Sequence, residues 1–295
     1  MKRLIIKVAA LILPIATGSA EASWVVLDAP GATQTLACGI DDGNIVGYYT
    51  DASGDHGFLY DGVDWTTLDV PGARGTQAWG IHGDNIVGYF WDTSEQIHGF
   101  LYDGVTWTTL DPPDASETMA QGIDGDRIIG YYRAGDADGY QAFLYDAASW
   151  TTFDAPGASH TFARGIDGDK IVGFYEDAGD HLQYGFLYDG VNWTTFDVPG
   201  ALMTNANGID GDNIVGGCAY APDRAHGFVY DGTTLTTFEF PGASISGAYD
   251  IDGDNIVGIY RDASGPHGFL YQIPEPATVL LLGLGSLALL IKRRA

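Results

Sequence analysis

An all-β ring of repeated sheets, a six-bladed β-propeller with units of about 42 residues, is the fold this 295-residue sequence predicts, on three observations. The first is a period: Trp24, Trp65, Trp107, Trp150, Trp193 and, in the sixth place, Leu235 recur every 41–43 residues. The second is the content of one period. TQAWGI, NIVGYF, HGFLYD and WTTLDV are four short runs rich in β-branched and aromatic residues, each bounded by Gly, Asp, Asn or Pro. The third is the fit of the ends: the repeats open at Trp24 with WVVLDAPGA, a fourth strand without its first three, and stop at Gln272 with HGFLYQ, a third strand without its fourth. The N-terminal strand is therefore expected to complete the last blade and staple the ring shut, which an open solenoid does not need.

Each element of a copy has a local reason. The first strand runs into a tight hairpin such as Asp41-Asp42-Gly43-Asn44 or Asp124-Gly125-Asp126-Arg127, where glycine supplies the positive φ. The second strand leads into a connection that differs in every copy. The third starts at a recurring His-Gly-Phe and ends at a second hairpin, Tyr60-Asp61-Gly62 or Tyr102-Asp103-Gly104. The fourth begins at the periodic tryptophan and stops at the proline of Asp69-Val70-Pro71-Gly72, which has no N–H to donate.

Composition agrees with a folded β protein. Hydrophobic residues make up 45% of the chain, and the 42 glycines fall at fixed turn offsets, unlike a low-complexity segment. Cys38 and Cys218 occupy different positions of non-neighbouring copies, so free thiols are expected. From Ser23 to Ile273 there are seven basic residues against 37 acidic ones, a net charge of −30. Such a surface repels nucleic acid and anionic lipid and favours cations or neutral partners.

The two ends read as addresses. Lys2 and Arg3, the apolar run Leu4 to Ile15 and a stretch of small residues describe a secretory signal peptide over 1–22, cleaved after Ala22. At the other end Pro274-Glu275-Pro276 precedes an apolar run from Ala277 to Ile291 and the basic Lys292, Arg293 and Arg294. Fifteen helical residues reach about 22 Å against roughly 30 Å of hydrocarbon, which suits a short helix serving as a transient anchor with the repeats outside. Residues 273–295 resemble the PEP-CTERM sorting signal of Gram-negative bacteria. That resemblance implies Pro274, Glu275 and Pro276 as the sorting motif, an exosortase as processing partner, brief residence in the inner membrane, and a destination at the cell surface or in an exopolysaccharide matrix. The repeats of 23–272 resemble the extracellular repeats named for a His-Ala-Phe motif, matched here by Gly80-Ile81, Ile86-Val87-Gly88-Tyr89 and His98-Gly99-Phe100-Leu101, with Gly in place of Ala. This second resemblance implies a secreted β-repeat protein and carries no catalytic residues.

Most chemistry-bearing side chains have a scaffold explanation. His56, His98, His226 and His267 share one offset on separate blades, which suits a hydrogen bond at a strand start better than convergent metal ligands. Asp-Gly-Asp turns lack the later bidentate acid of a calcium loop. The acids ending the fourth strands (Asp28, Asp69, Asp111, Asp154, Asp197 and Glu239) are expected to accept hydrogen bonds from the following Pro-Gly-Ala turn. The periodic tryptophans are expected to pack between blades.

What varies is then informative. The connections between second and third strands differ most, so their face of the ring is the expected binding face. Beside it lies the innermost-strand series Cys38, Trp79, Gln121, Arg164, Asn207 and Tyr249. Trp79, Trp91, Arg133, Tyr140, Arg164 and Tyr249 are the ligand-binding candidates. No nucleophile elbow, His-Glu-x-x-His or phosphate loop occurs, and neither a catalytic residue, a metal nor a cofactor is expected. The expected role is a non-catalytic structural or binding one in the matrix, with a carbohydrate-binding propeller and a polysaccharide-active hydrolase or lyase as alternatives.

Overall fold

The computed structural model describes residues 23–135, 139–146 and 149–273; the expected signal peptide and C-terminal helix lie outside them. Among the described residues there are 24 strands, and no helix is long and apolar enough to cross a membrane. The first strand, β1 (Ser23–Leu27), pairs antiparallel with the last, β24 (Pro266–Gln272), with Trp24 opposite Tyr271.

Between them each sequence copy forms one antiparallel meander. Copy 1 is β2 (Gln34–Asp41), β3 (Asn44–Thr50), β4 (Asp55–Tyr60) and β5 (Trp65–Leu68). Copy 2 is β6 (Gly75–His82), β7 (Asn85–Trp91), β8 (Ile97–Tyr102) and β9 (Trp107–Leu110), and copy 3 is β10 (Ala115–Asp124), β11 (Arg127–Ala134), β12 (Tyr140–Asp146) and β13 (Ser149–Phe153). Copy 4 comprises β14 (Ala158–Asp167), β15 (Lys170–Asp177), β16 (Gln183–Tyr188) and β17 (Trp193–Phe196); copy 5 comprises β18 (Met203–Asp210), β19 (Asn213–Ala221), β20 (Arg224–Tyr230) and β21 (Leu235–Phe238). Copy 6 has β22 (Ile245–Asp252), β23 (Asn255–Arg261) and β24, with β1 as its fourth strand. Single parallel bridges, Gln183 to Met203 and Ala225 to Ile245, join the last three copies into one 12-stranded sheet.

The core lies between successive meanders. Phe58, Phe100, Phe143, Phe186, Phe228 and Phe269, the phenylalanines of the third strands, are at most 1% exposed, and burying each contributes roughly 1.5–3 kcal/mol. The periodic tryptophans sit on them: Trp65 lies 4.8 Å from Phe58 and 4.7 Å from Tyr60, and Trp24 packs at 5.2 Å on Phe269. One cluster joins Leu27 and Val257 of copy 6 to Ala37, Ile40, Ile45 and Phe58 of copy 1, so the first and last copies share a core.

Hydrogen bonds repeat with the sequence, and one expectation needs correcting. Four of the six acids ending the fourth strands hold third-strand histidines, not the Pro-Gly-Ala turns: His56–Asp69 at 2.9 Å, His98–Asp111 at 2.7 Å, His226–Glu239 at 2.8 Å and His267–Asp28 at 2.8 Å, while Asp154 accepts from Gln141 Nε2 and Asp197 from the Thr204 hydroxyl. The next residue's N–H, from Ala29, Val70, Ala155, Val198 and Phe240, is taken by the hydroxyl of Thr35, Thr76, Thr161, Thr204 and Ser246. The turns close on their own backbone, as in Ala73 N to Val70 O at 3.0 Å. Cys38 and Cys218 are free and buried.

Neighbouring copies are also linked through their first hairpins. The Oδ2 atoms of Asp41, Asp124, Asp167 and Asp210 accept N–H bonds of 2.7–2.8 Å from Gly83, Gly168, Gly211 and Gly253, each in the following copy. Asp252 of copy 6 accepts one of 2.9 Å from Asp42 of copy 1. His82 replaces the aspartate in copy 2, its Nδ1 lying 3.7 Å from Asp124.

Candidate functional site

Every first strand slips register at the same place, between Ala37 and Gly39, Ala78 and Gly80, Ala120 and Gly122, Ala163 and Gly165, Ala206 and Gly208, and Ala248 and Asp250. A bulge of this kind leaves one residue unpaired and re-aims its side chain. The bulged residues are Cys38, Trp79, Gln121, Arg164, Asn207 and Tyr249, and all six line one cavity of about 210 Å³ together with the ends of the six first strands.

Large and small side chains alternate around this cavity. Trp79, Arg164 and Tyr249 come from copies 2, 4 and 6 and meet: the Arg164 guanidinium lies 5.2 Å from the Trp79 ring centre, and Tyr249 meets the same ring edge-on at 5.7 Å. Trp79 is backed by Tyr89 and Tyr48, both at 6.1 Å, and Arg164 also lies 5.4 Å from the rings of Tyr131 and Phe174. Tyr48, Tyr89, Tyr131 and Phe174, all on second strands, thus surround Trp79 and Arg164. The cavity also reaches the first hairpins, where Asp41, His82, Asp124, Asp167, Asp210 and Asp252 line it.

Polar groups in the cavity are unevenly matched. Arg164 Nη1 donates to Gln121 Oε1 at 2.5 Å, and Asn207 Nδ2 donates to Ala248 O at 2.8 Å. Gln121 Nε2 and Arg164 Nε are buried without partners, as is Trp79 Nε1, which lies beside the Tyr89 hydroxyl without hydrogen-bond geometry. Asp250 stands where the other five copies have glycine. Burial pushes its carboxyl up to about 7; the N–H groups of Ile40 and Ile251 oppose that shift, while the charges of Asp252 and Asp41 add to it. Burial likewise pushes the Tyr249 hydroxyl up to about 12 and raises the Cys38 thiol. Among the described residues no group of three or more His, Cys, Asp or Glu side chains is placed to hold a metal ion.

The six sequence candidates thus separate. Trp79, Arg164 and Tyr249 converge in the cavity. Arg133 and Tyr140 are engaged with Glu117: Arg133 Nη2 donates to the Tyr140 hydroxyl at 3.0 Å, which donates to Glu117 at 2.6 Å. Trp91 lies apart, lining a second hollow of about 440 Å³ between copies 1 and 2 with Gly54, Asp55, Arg74, Gly75 and Glu95. Arg74 and Glu95 pair beside it. Sequence reasoning passed over Asp250, although its signal is plain: Asp replaces Gly in a Gly-Ile or Gly-Ile-Asp step otherwise present in every copy.

Comparison with solved structures bears on the architecture. The β-propeller domain of the trilobed protease from Pyrococcus furiosus, described as having an open velcro topology, superposes with a TM-score of 0.54 at 12% identity, covering 82% of this chain and 81% of that one. The fold is a β-propeller. A mutant of the Aleuria aurantia lectin in complex with Fucα1-6GlcNAc gives 0.51 at 14% identity over 82% of this chain and 95% of that one. The SapL1 lectin in complex with α-methyl fucoside gives 0.51 at 15% identity over 80% and 95%. Identities this low speak for the propeller fold and for nothing about a ligand. No curated protein matches the chain in sequence. Residues 272–294 match the family described as the PEP-CTERM protein-sorting motif, the mark of an exported, exosortase-sorted protein of the cell envelope.

Proposed function

We propose that this propeller is a closed ring of six blades, exported and processed by an exosortase, that serves at the cell surface or in an exopolysaccharide matrix as a non-catalytic binding component. The closed six-bladed reading is supported by the four-strand meander in each copy, by β1 lying on β24, and by the aspartate bonds that run from copy to copy and return from Asp252 to Asp42. One observation carries the binding role. Among the strands, whose copies are close to interchangeable, the departures Trp79, Arg164, Tyr249 and Asp250 gather in a single cavity. A pure scaffold has no need to concentrate its irregularities at the axis.

Sorting is tested by changing Pro274, Glu275 and Pro276 to alanine in a host with an exosortase and fractionating the cells. Accumulation of an uncleaved precursor at the inner membrane is expected; unchanged processing would contradict the proposal.

A carbohydrate-binding reading has its own support in the Trp91 hollow. An aromatic face beside the Arg74–Glu95 pair is suited to stacking on a sugar ring while charged groups take its hydroxyls. A glycan array with the protein and its Trp91→Ala variant tests this: binding lost on substitution supports it, and no binding by the parent protein removes it.

A further inference from the structure

The connections between second and third strands in copies 1 and 6 share one sequence, Asp-Ala-Ser-Gly-x-His, at 51–56 and 262–267. Both build the same chain of bonds. His56 Nδ1 lies 2.9 Å from Asp69 Oδ2, its Nε2 lies 2.8 Å from Ser53 Oγ, and Ser53 Oγ lies 2.6 Å from Asp51 Oδ1. In copy 6 the distances are 2.8 Å from His267 to Asp28, 2.9 Å to Ser264, and 2.6 Å from Ser264 to Asp262. Each histidine thus ties the residue after an outer strand, β5 or β1, to the turn before its own strand. Copy 2 has a connection one residue longer, and its His98 Nε2 stops 3.8 Å from Asp92, within ion-pair but beyond hydrogen-bond reach.

Counting protons fixes the state of the two rings. A serine hydroxyl has one proton to give. The hydroxyl and N–H of Ser53 hold the Asp51 carboxyl below its ordinary 3.8, so the Ser53 proton goes to a carboxylate and its Oγ is left to accept from His56 Nε2. Nδ1 faces the Asp69 carboxylate and must donate as well. Neither neutral tautomer meets both demands: one sets a bare Nδ1 against Asp69, and the other sets a bare Nε2 against Ser53 or robs Asp51 of its proton donor. The imidazolium satisfies every contact, and the same count holds for His267. It also separates this order of Ser, His and Asp from a hydrolytic triad, where the serine gives its proton to the histidine. The ionisable groups around His56 are Asp69, Asp51 and Tyr49, whose ring stacks on it at 5.3 Å; around His267 they are Asp28, Asp262 and Tyr260, stacked at 5.0 Å. All four carboxylates favour the cation.

We propose that these two imidazolium ions are proton-operated clasps: charged, they hold the connections of copies 1 and 6 against the outer strands, and on losing a proton they release them. Gly54 and Asp55 follow Ser53 into the wall of the Trp91 hollow. On the reading of that hollow as a sugar site, the clasp of copy 1 makes its wall firm in acid and loose in alkali. Burial lowers the His56 ring, but the bond and charge of Asp69 and the charge of Asp51 outweigh it and raise the ring above its ordinary 6.5. A histidine raised on folding contributes fully below about pH 6.5, and the contribution is lost as pH climbs through the raised value.

The test uses the full-length chain in mild detergent, without ligand. Nitrogen NMR of labelled histidine reads the rings, and hydrogen exchange by mass spectrometry, corrected for the intrinsic rate, reads segment 50–56. At about pH 7, where an ordinary histidine is mostly neutral, the His56 ring should still carry protons on both nitrogens. Protection of the segment should fall by about tenfold or more between about pH 6 and pH 8.5, the loss of one charge-assisted hydrogen bond. His56→Ala should exchange fast at both pH values. Ser53→Ala, which cuts the chain of bonds and keeps the histidine, gives the same readout should His56→Ala fail to fold. A His56 ring with one bare nitrogen at about pH 7 overturns the proposal, as does protection that neither pH nor either substitution changes. The glycan array on Trp91→Ala stands or falls separately, because exchange is read with the hollow empty.

Discussion

Asp250 accepts a hydrogen bond of 3.0 Å from the backbone N–H of Ile40, a residue 210 positions earlier in the chain. This bond joins copy 6 to copy 1 at a place where the other copies have glycine, and it holds a carboxyl group in the wall of the cavity. Burial raises that carboxyl to about 7, well above the ordinary 3.8. A carboxyl raised in the folded state binds its proton more tightly there than in the unfolded chain. Its contribution is fully present below about pH 4 and is lost as pH climbs toward 7, at roughly 1.4 kcal/mol per unit in the interval. Asn in its place still accepts from Ile40 and does not titrate. Urea denaturation at intervals from pH 4.5 to 7.5 should show the parent protein losing stability relative to Asp250→Asn across that window. A constant difference would show that Asp250 titrates normally.

Copy 3 contains a defect with built-in controls. In five copies a buried hydroxyl accepts the N–H of the residue before the turn proline, as Thr76 does from Val70 at 3.0 Å. In copy 3 that residue is Pro112, which has no N–H, and the Thr118 hydroxyl is fully buried without a partner. Thr76→Val should cost about 1–3 kcal/mol, since it strands the Val70 N–H, whereas Thr118→Val should be neutral or stabilising. Equal losses in thermal unfolding would show that Thr118 has a partner after all.

The glycines of the Gly-Ile step allow adjacent copies to touch. A Cβ on Gly80 would stand 2.7 Å from the carbonyl oxygen of Gln121, a backbone atom that has little room to withdraw. Gly80→Ala should therefore destabilise by about 1–3 kcal/mol through overpacking. Asp250→Ala introduces no new atom at the equivalent step and should escape this penalty. Calorimetric melting points of the two variants distinguish a steric origin from a propensity effect: an unaltered Gly80→Ala would refute the close approach.

Repetition made much of this legible beforehand. Four strands per period and the partnership of β1 with β24 follow from residues recurring at fixed offsets, and the pairing of Trp24 with Tyr271 is the form this takes. The tryptophans were expected to pack between blades, and their stacking on the third-strand phenylalanine of their own copy was not foreseen. The convergence within the cavity was not legible. It depends on Trp79 reaching Arg164 and Tyr249, contacts between copies 2, 4 and 6 that no local pattern encodes. The fourth-strand acids were assigned to their turns for a related reason. Asp69 lies next to its turn in sequence but reaches across the strand pair to His56, whose ring is held above its ordinary pKa because that carboxylate and Asp51 outweigh the effect of burial.

Everything said about the cavity requires the first strand to lie on the last. The most direct measurement is a disulfide between Ser23→Cys and Gln272→Cys, exposed positions directly opposite each other on β1 and β24, formed in the full-length chain under mild oxidant with the buried Cys38 and Cys218 left in place. A closed ring predicts rapid cross-linking within one molecule and, by chain entropy, a gain of roughly 4–5 kcal/mol that reduction removes. Thiols that stay free, or that link only between molecules, would contradict the ring.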